Sequence, residues 1–232
     1  VPHTLVVSLS IILAVVLVAL IVLVVLVRFF KTRKAKQMQE LELLVRRCQR
    51  IEQILNTVSD RYLPLTTKLV LVEYLISSLT LIKKHAVETE LVKWMPQYLQ
   101  LFEELKEGQQ ATLKDKVVSA QQLAQVQQAL QALPLLIRGL VGLGVLDKAT
   151  AKEQVVQIRF SYFLAHHDLL VREAQLDLDI DKKARALEKL RLALVEIEKV
   201  GTVTQSEVLI KRLNSIIHRV ESELFGKKPR VS

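Results

Sequence analysis

Residues 5–27 read LVVSLSIILAVVLVALIVLVVLV, twenty-three positions in which Ser8 and Ser10 are the only polar side chains. A water-soluble surface helix needs a polar face, and this segment has none. As a helix it reaches roughly 34 Å at 1.5 Å per residue, enough to cross a hydrocarbon core of about 30 Å with modest tilt. A cleaved secretory leader carries a basic start, a shorter apolar centre and a small-residue cleavage site, none of which is written here. The expectation is a retained single transmembrane helix over residues 5–27, preceded by a short flank at residues 1–4.

The charges on either side orient it. Five of the nine residues from Arg28 to Lys36 are basic, namely Arg28, Lys31, Arg33, Lys34 and Lys36, while Val1–Thr4 has no Lys or Arg. Basic residues resist translocation, so the N-terminus is expected outside and the long C-terminal domain cytoplasmic, which in a bacterium means the inner or plasma membrane. The same five residues are expected to contact lipid headgroups, with Phe29 and Phe30 in the interfacial zone.

The formal net charge of +9 takes its meaning from where it sits. Residues 28–50 hold eight basic against two acidic side chains, and the tail 227–232 adds Lys227, Lys228 and Arg230. Between them, residues 51–226 balance at 22 basic and 22 acidic. The body therefore lacks the basic stripe of a nucleic-acid module, and no nucleic-acid partner is expected. The single cysteine, Cys48, permits no disulfide within the chain and no metal-ligand pair.

Beyond the membrane the pattern is helical throughout. Residues 28–62 form a basic juxtamembrane and heptad segment, in which Leu41, Leu44, Cys48, Ile51, Leu55, Val58 and Tyr62 recur at three- and four-residue spacing. Val45 and Ile54 broaden that stripe beyond a strict two-stranded seam. It suits packing into the protein's own bundle, or a parallel homodimer or higher oligomer assisted by an Arg47–Glu52 pair between chains.

Residues 63–226 read as a succession of helices. Pro64 opens one, with Leu65, Leu69, Val72, Ile76 and Leu79 on its buried face and an end near Lys83–His85. Glu88–Glu107 is punctuated by Pro96 and presents Trp94, Met95, Tyr98, Leu101, Phe102 and Leu105 as a core face. A Gln-rich helix with a wet surface runs from about Leu113 to Leu133 and stops at Pro134. Leu135–Leu146 follows as a short buried helix closed by glycine. Thr150 and Glu153 have capping-box spacing ahead of a long helix to about Leu178. Asp181 caps the next helix, which ends at Gly201, and Thr204 with Glu207 opens the last, forming an antiparallel hairpin with its predecessor. The fold expected is all-α: a transmembrane helix, then a multi-helix bundle or a degenerate TPR-like array of helical hairpins, with a mobile basic tail at 227–232.

Chemistry-bearing motifs are sparse. No phosphate loop, nucleophile elbow, His-Glu-x-x-His or cysteine pair is present, and Gly139, Gly142 and Gly144 lack the spacing of a dinucleotide loop. Cys48, lying on the seam, reads as a small apolar filler. In the dipeptide His167-Asp168, within His166-His167-Asp168, the chain resembles metal-dependent phosphohydrolases of the HD type. That resemblance implies a distant His and Asp as further ligands, for which His85, His218 and the Asp177, Asp179, Asp181 group are available. Side chains at 166 and 167 diverge by about 100° on a helix, however, and do not share one metal. Surface or boundary histidines are the expectation, with no cofactor or metal and no enzyme activity. A tethered, neutral, helical body is expected to bind other protein subunits as a membrane-bound scaffold. An anionic-lipid-sensing module and an HD-like hydrolase are the alternatives.

Overall fold

The computed structural model describes residues 28, 29, 31, 33, 35–85, 89–108, 115–199 and 204–226. The apolar segment Leu5–Val27, Lys34 and the tail 227–232 lie outside the described residues, and so does the expected helix stop at Gly201. The chain divides into two compact units, Val1–Cys48 and Gln49–Ser232.

In the first unit residues 35–48 are helical. Arg28, Lys31, Arg33 and Lys36 are exposed, and the Arg33 guanidinium lies 4.3 Å from the centre of the Phe29 ring one turn earlier. Arg46 pairs with Glu42, also one turn apart, at 2.7 Å. Met38 and Leu43 are exposed, Leu41 and Leu44 half-buried, and Cys48 buried.

The second unit is all-α, with no strand among its described residues. Its helices are α1 (residues 49–57), α2 (Leu65–Lys84), α3 (Glu90–Lys93), α4 (Met95–Lys106), α5 (Ala120–Gly142), α6 (Lys148–Asp179), α7 (Lys183–Glu198) and α8 (Thr204–Phe225). Helix α2 packs on α3 and α4; α5 packs on α6, α6 on α7, and α7 on α8. Of the described helices, α2 is the one long and apolar enough to cross a membrane by length and composition. Its Leu71, Leu75, Leu79 and Ile82 are buried within the chain. Leu69 and Ile76, expected on that face, are only half-buried, because the stripe sits a fraction of a turn away from the one their spacing suggested.

Several helix ends differ from expectation for identifiable reasons. Helix α5 runs unbroken through Pro134. Proline there has no N–H to give the Leu130 carbonyl, yet Leu130, Leu133, Ile137 and Leu140 are all buried, and that continuous apolar stripe outweighs one lost bond. Its start is capped by Ser119, whose hydroxyl oxygen accepts from the Gln122 N–H at 3.2 Å while the Gln122 side-chain oxygen accepts from Val118 N–H at 2.9 Å. Its close is glycine-dependent: Gly144 has φ +72°, its N–H reaches the Val141 carbonyl and the Val145 N–H reaches Leu140.

The cap of α6 is Asp147, not Thr150. The Asp147 carboxylate accepts from the Ala149 and Thr150 N–H groups, each at 2.9 Å, and from the Thr150 hydroxyl. The Thr150 hydroxyl holds its carboxyl below the usual range, as do the backbone donors. Asp181 does not cap α7; it turns the chain out of α6 at φ +58°, a left-handed conformation that aspartate tolerates. Pro96 does mark a new start, with the chain turning at Trp94 between α3 and α4. Trp94 is nevertheless 47% exposed, so the aromatic face is only partly core.

Candidate functional site

Helix α1 ends with the Val58 N–H on the Ile54 carbonyl, and the Tyr62 and Leu63 N–H groups then both turn back to the Ser59 carbonyl. Pro64 disfavours a helical Leu63 and pre-sets the first turn of α2, so Ser59–Leu63 forms a tight corner. Every polar side chain of that corner reaches beyond it, to α2, to α6 or to residues 115–117. The Ser59 hydroxyl donates to the Asp115 carbonyl at 2.8 Å, and Asp60 pairs with Lys68 of α2. Arg61 grips Asp168 of α6 with two donors, Nε to Oδ2 and Nη2 to Oδ1, the latter at 2.8 Å. The Tyr62 hydroxyl donates to Asp168 Oδ2 at 2.8 Å and accepts from the buried Val117 N–H at 3.0 Å.

This is a buried charge clasp. Asp168 is 4% exposed and Tyr62 1%. Burial pushes the Asp168 carboxyl up, but the neighbouring His167, Arg61 and Tyr62 donors outweigh it and hold the group at about 2. Tyr62 goes the other way: burial, and then the adjacent carboxylate, raise its phenol well above the ordinary value. The Asp168 hydrogen bond likewise raises Arg61. Bidentate guanidinium–carboxylate geometry is directional, so the clasp fixes the corner's position against α6 more than it adds net stability.

Of the two histidines expected at the surface or boundary, His166 is half-buried as expected, whereas His167 is buried beside the clasp carboxylate. His167 and Asp168 are buried, and the two histidines diverge, as their spacing requires: His166 Nδ1 lies 3.4 Å from Glu196 of α7, and His167 Nδ1 lies 3.5 Å from Asp168 Oδ1. Both Asp168 oxygens already accept from Arg61. No group of three or more His, Cys, Asp or Glu side chains among the described residues is placed to hold a metal ion. Sequence reasoning missed Arg61 and Val117 as partners. The available signal was a lone carboxylate flanked by Leu164, Ala165, Leu169 and Leu170, which once buried demands a cation and donors from elsewhere.

Of the seam residues, Ile51, Val58 and Tyr62 are buried within the single chain and Leu55 is half-buried; Leu41 and Leu44, in the first unit, are half-buried. Arg28, Lys31, Arg33 and Lys36, the residues expected to contact headgroups, are all exposed.

A groove of about 490 Å³ opens between α1 and α5. Arg50, Gln53, Ile54 and Thr57 form one wall; Gln125, Gln128, Ala129, Gln131, Ala132 and Leu135 form the other. Three of the six glutamines expected on a wet surface, Gln125, Gln128 and Gln131, thus face a concavity, while Gln121, Gln122 and Gln127 do not line it. Leu135 at its margin is 68% exposed. No known protein family, curated protein or solved structure matches this chain.

Proposed function

We propose that this protein is a single-pass membrane scaffold whose helical body binds other protein subunits at the cytoplasmic face, held there by residues 5–27. The groove between α1 and α5 carries this reading. It is open to solvent, and its primary amides offer both donors and acceptors to another polypeptide. Exposed Leu135, Leu143 and Val145 near the end of α5 add apolar surface of the kind that partners cover. The serial packing of α5 on α6, α6 on α7 and α7 on α8 supports an array of helical hairpins in the TPR-like sense.

Crosslinking in native membranes, followed by solubilisation and sizing, tests this reading. The expected outcome is a discrete complex containing another subunit; a chain that runs alone after crosslinking overturns it. Protease added to the outer face should leave residues 49–226 intact, and their digestion from that side would reverse the proposed topology.

The exposed Met38 and Leu43 favour the stretch before Cys48 as the place of any self-association, since Ile51, Val58 and Tyr62 are already buried. A lipid-sensing role is a second reading, favoured by the exposure of Arg46, Arg47 and Arg50. Replacing those three by Gln should then weaken binding to anionic liposomes, and unchanged binding would remove it.

A further inference from the structure

We infer that the groove between α1 and α5 is the docking site for an acidic helix of a partner protein; this rests on the scaffold reading above and names its surface. Both walls are helices, and their lining positions recur at helical spacing: 50, 53 and 57 on α1, and 125, 128, 132 and 135 on α5. Two such walls leave between them a row of holes at the same three- and four-residue repeat, which a third helix fills with side chains of matching period. The α5 wall extends about 15 Å from 125 to 135, so the groove accepts two to three helical turns.

Chemistry selects the occupant. No acidic side chain lines the groove, and its one charged member, Arg50, is exposed and makes no ion pair among the described residues. Gln53, Gln125 and Gln128 present donors and acceptors that carboxylate and amide side chains satisfy. Ile54 and Leu135 supply apolar contacts at the floor and margin. A helix bearing Glu or Asp toward Arg50, with Gln, Asn or small residues facing the glutamines, complements both walls. A basic helix leaves Arg50 opposed by like charge.

The test places a photoactivatable benzoylphenylalanine at position 128 of the full chain in its native membrane, and at position 192 on α7 as a reference. The crosslinked peptide is identified by mass spectrometry in the parent and in Arg50→Glu and Arg50→Lys backgrounds. The expected result is a position-128 adduct on an acidic helical segment of another protein. Arg50→Glu should lower its yield about tenfold or more, with most of it kept in Arg50→Lys. An adduct on a second copy of this chain, on a segment without acidic residues, or one indifferent to Arg50→Glu overturns the inference. Silence at 128 with adducts at 192 removes the groove but leaves the scaffold reading standing. Silence at both positions, with no complex recovered, removes both.

Discussion

The corner at Ser59–Leu63 and the α7–α8 hairpin are held by opposite means. The hairpin buries aliphatic side chains: Ala186, Leu187, Leu190 and Ala193 of α7 meet Leu213, Ile217 and Val220 of α8, with Ala174 of α6 beneath. Its charges lie around that core. Lys189 bridges Glu173 and Asp177, Lys183 reaches Glu223, and Arg191 meets Glu221 at 2.6 Å. Arg191 is 60% exposed and its pair contributes little, whereas Lys189 and Asp177 are largely covered and rest on single-point contacts. The corner instead holds its carboxylate with two guanidinium donors and a buried phenol. Apolar packing is tolerant of small shifts, whereas a bidentate pair with a shared phenol accepts one geometry. The difference places rigidity where α1 turns into the body.

The largest effect expected from breaking this contrast is at Asp168. Asp168→Asn leaves the part-buried Arg61 without its counter-ion and should destabilise the unit by about 3–5 kcal/mol in urea unfolding. A loss below about 1 kcal/mol would show that the clasp is solvated. On the apolar side, Leu190→Ala should cost about 3 kcal/mol by the same measurement, through lost burial and a residual cavity. A negligible change there would mean that the hairpin collapses around the gap.

Acid separates the two regions. The Asp168 carboxyl is depressed from 3.8 to about 2 in the folded chain, so its contribution is fully present above pH 3.8 and fades as pH falls toward 2. The linkage is about 2 kcal/mol, and Asp168→Asn should lack that acid-dependent component. Identical acid titration of the two proteins would disprove the assignment. Tyr62→Phe removes one donor from Asp168 and the acceptor of the buried Val117 N–H, and about 1–2 kcal/mol should be lost. Faster amide exchange at Val117 is the specific readout. The smallest effect is expected from Arg191→Ala, within about 0.5 kcal/mol, because its side chain is 60% exposed. A loss above about 1 kcal/mol there would make the hairpin's ion pairs a working network.

Helical periodicity carried most of the architecture. Leu187, Leu190, Leu194 and Ile197 recur at three- and four-residue spacing, and all but the half-buried Leu194 are buried; Gly144 closes α5 as glycine does. Local stop signals were less dependable. Pro134 reads as a terminator because one backbone donor is missing, but the buried stripe running through it is a sum over many residues that a local reading does not weigh. The candidate site was legible only in fragments. Tyr62 was placed as an apolar seam position, and its hydroxyl's role depends on residues 55 and 106 positions away.

Taken alone, the amino-acid order determined that the body is all-helical, where basic charge concentrates, and which faces are oily, because these follow from neighbours within a few residues. Tertiary structure decided which polar groups share an interior. Arg61 and Asp168 lie 107 positions apart, and no local preference couples them. The groove was decided in the same way, since a glutamine facing water and one facing a cleft have the same sequence signature until two helices are brought alongside each other.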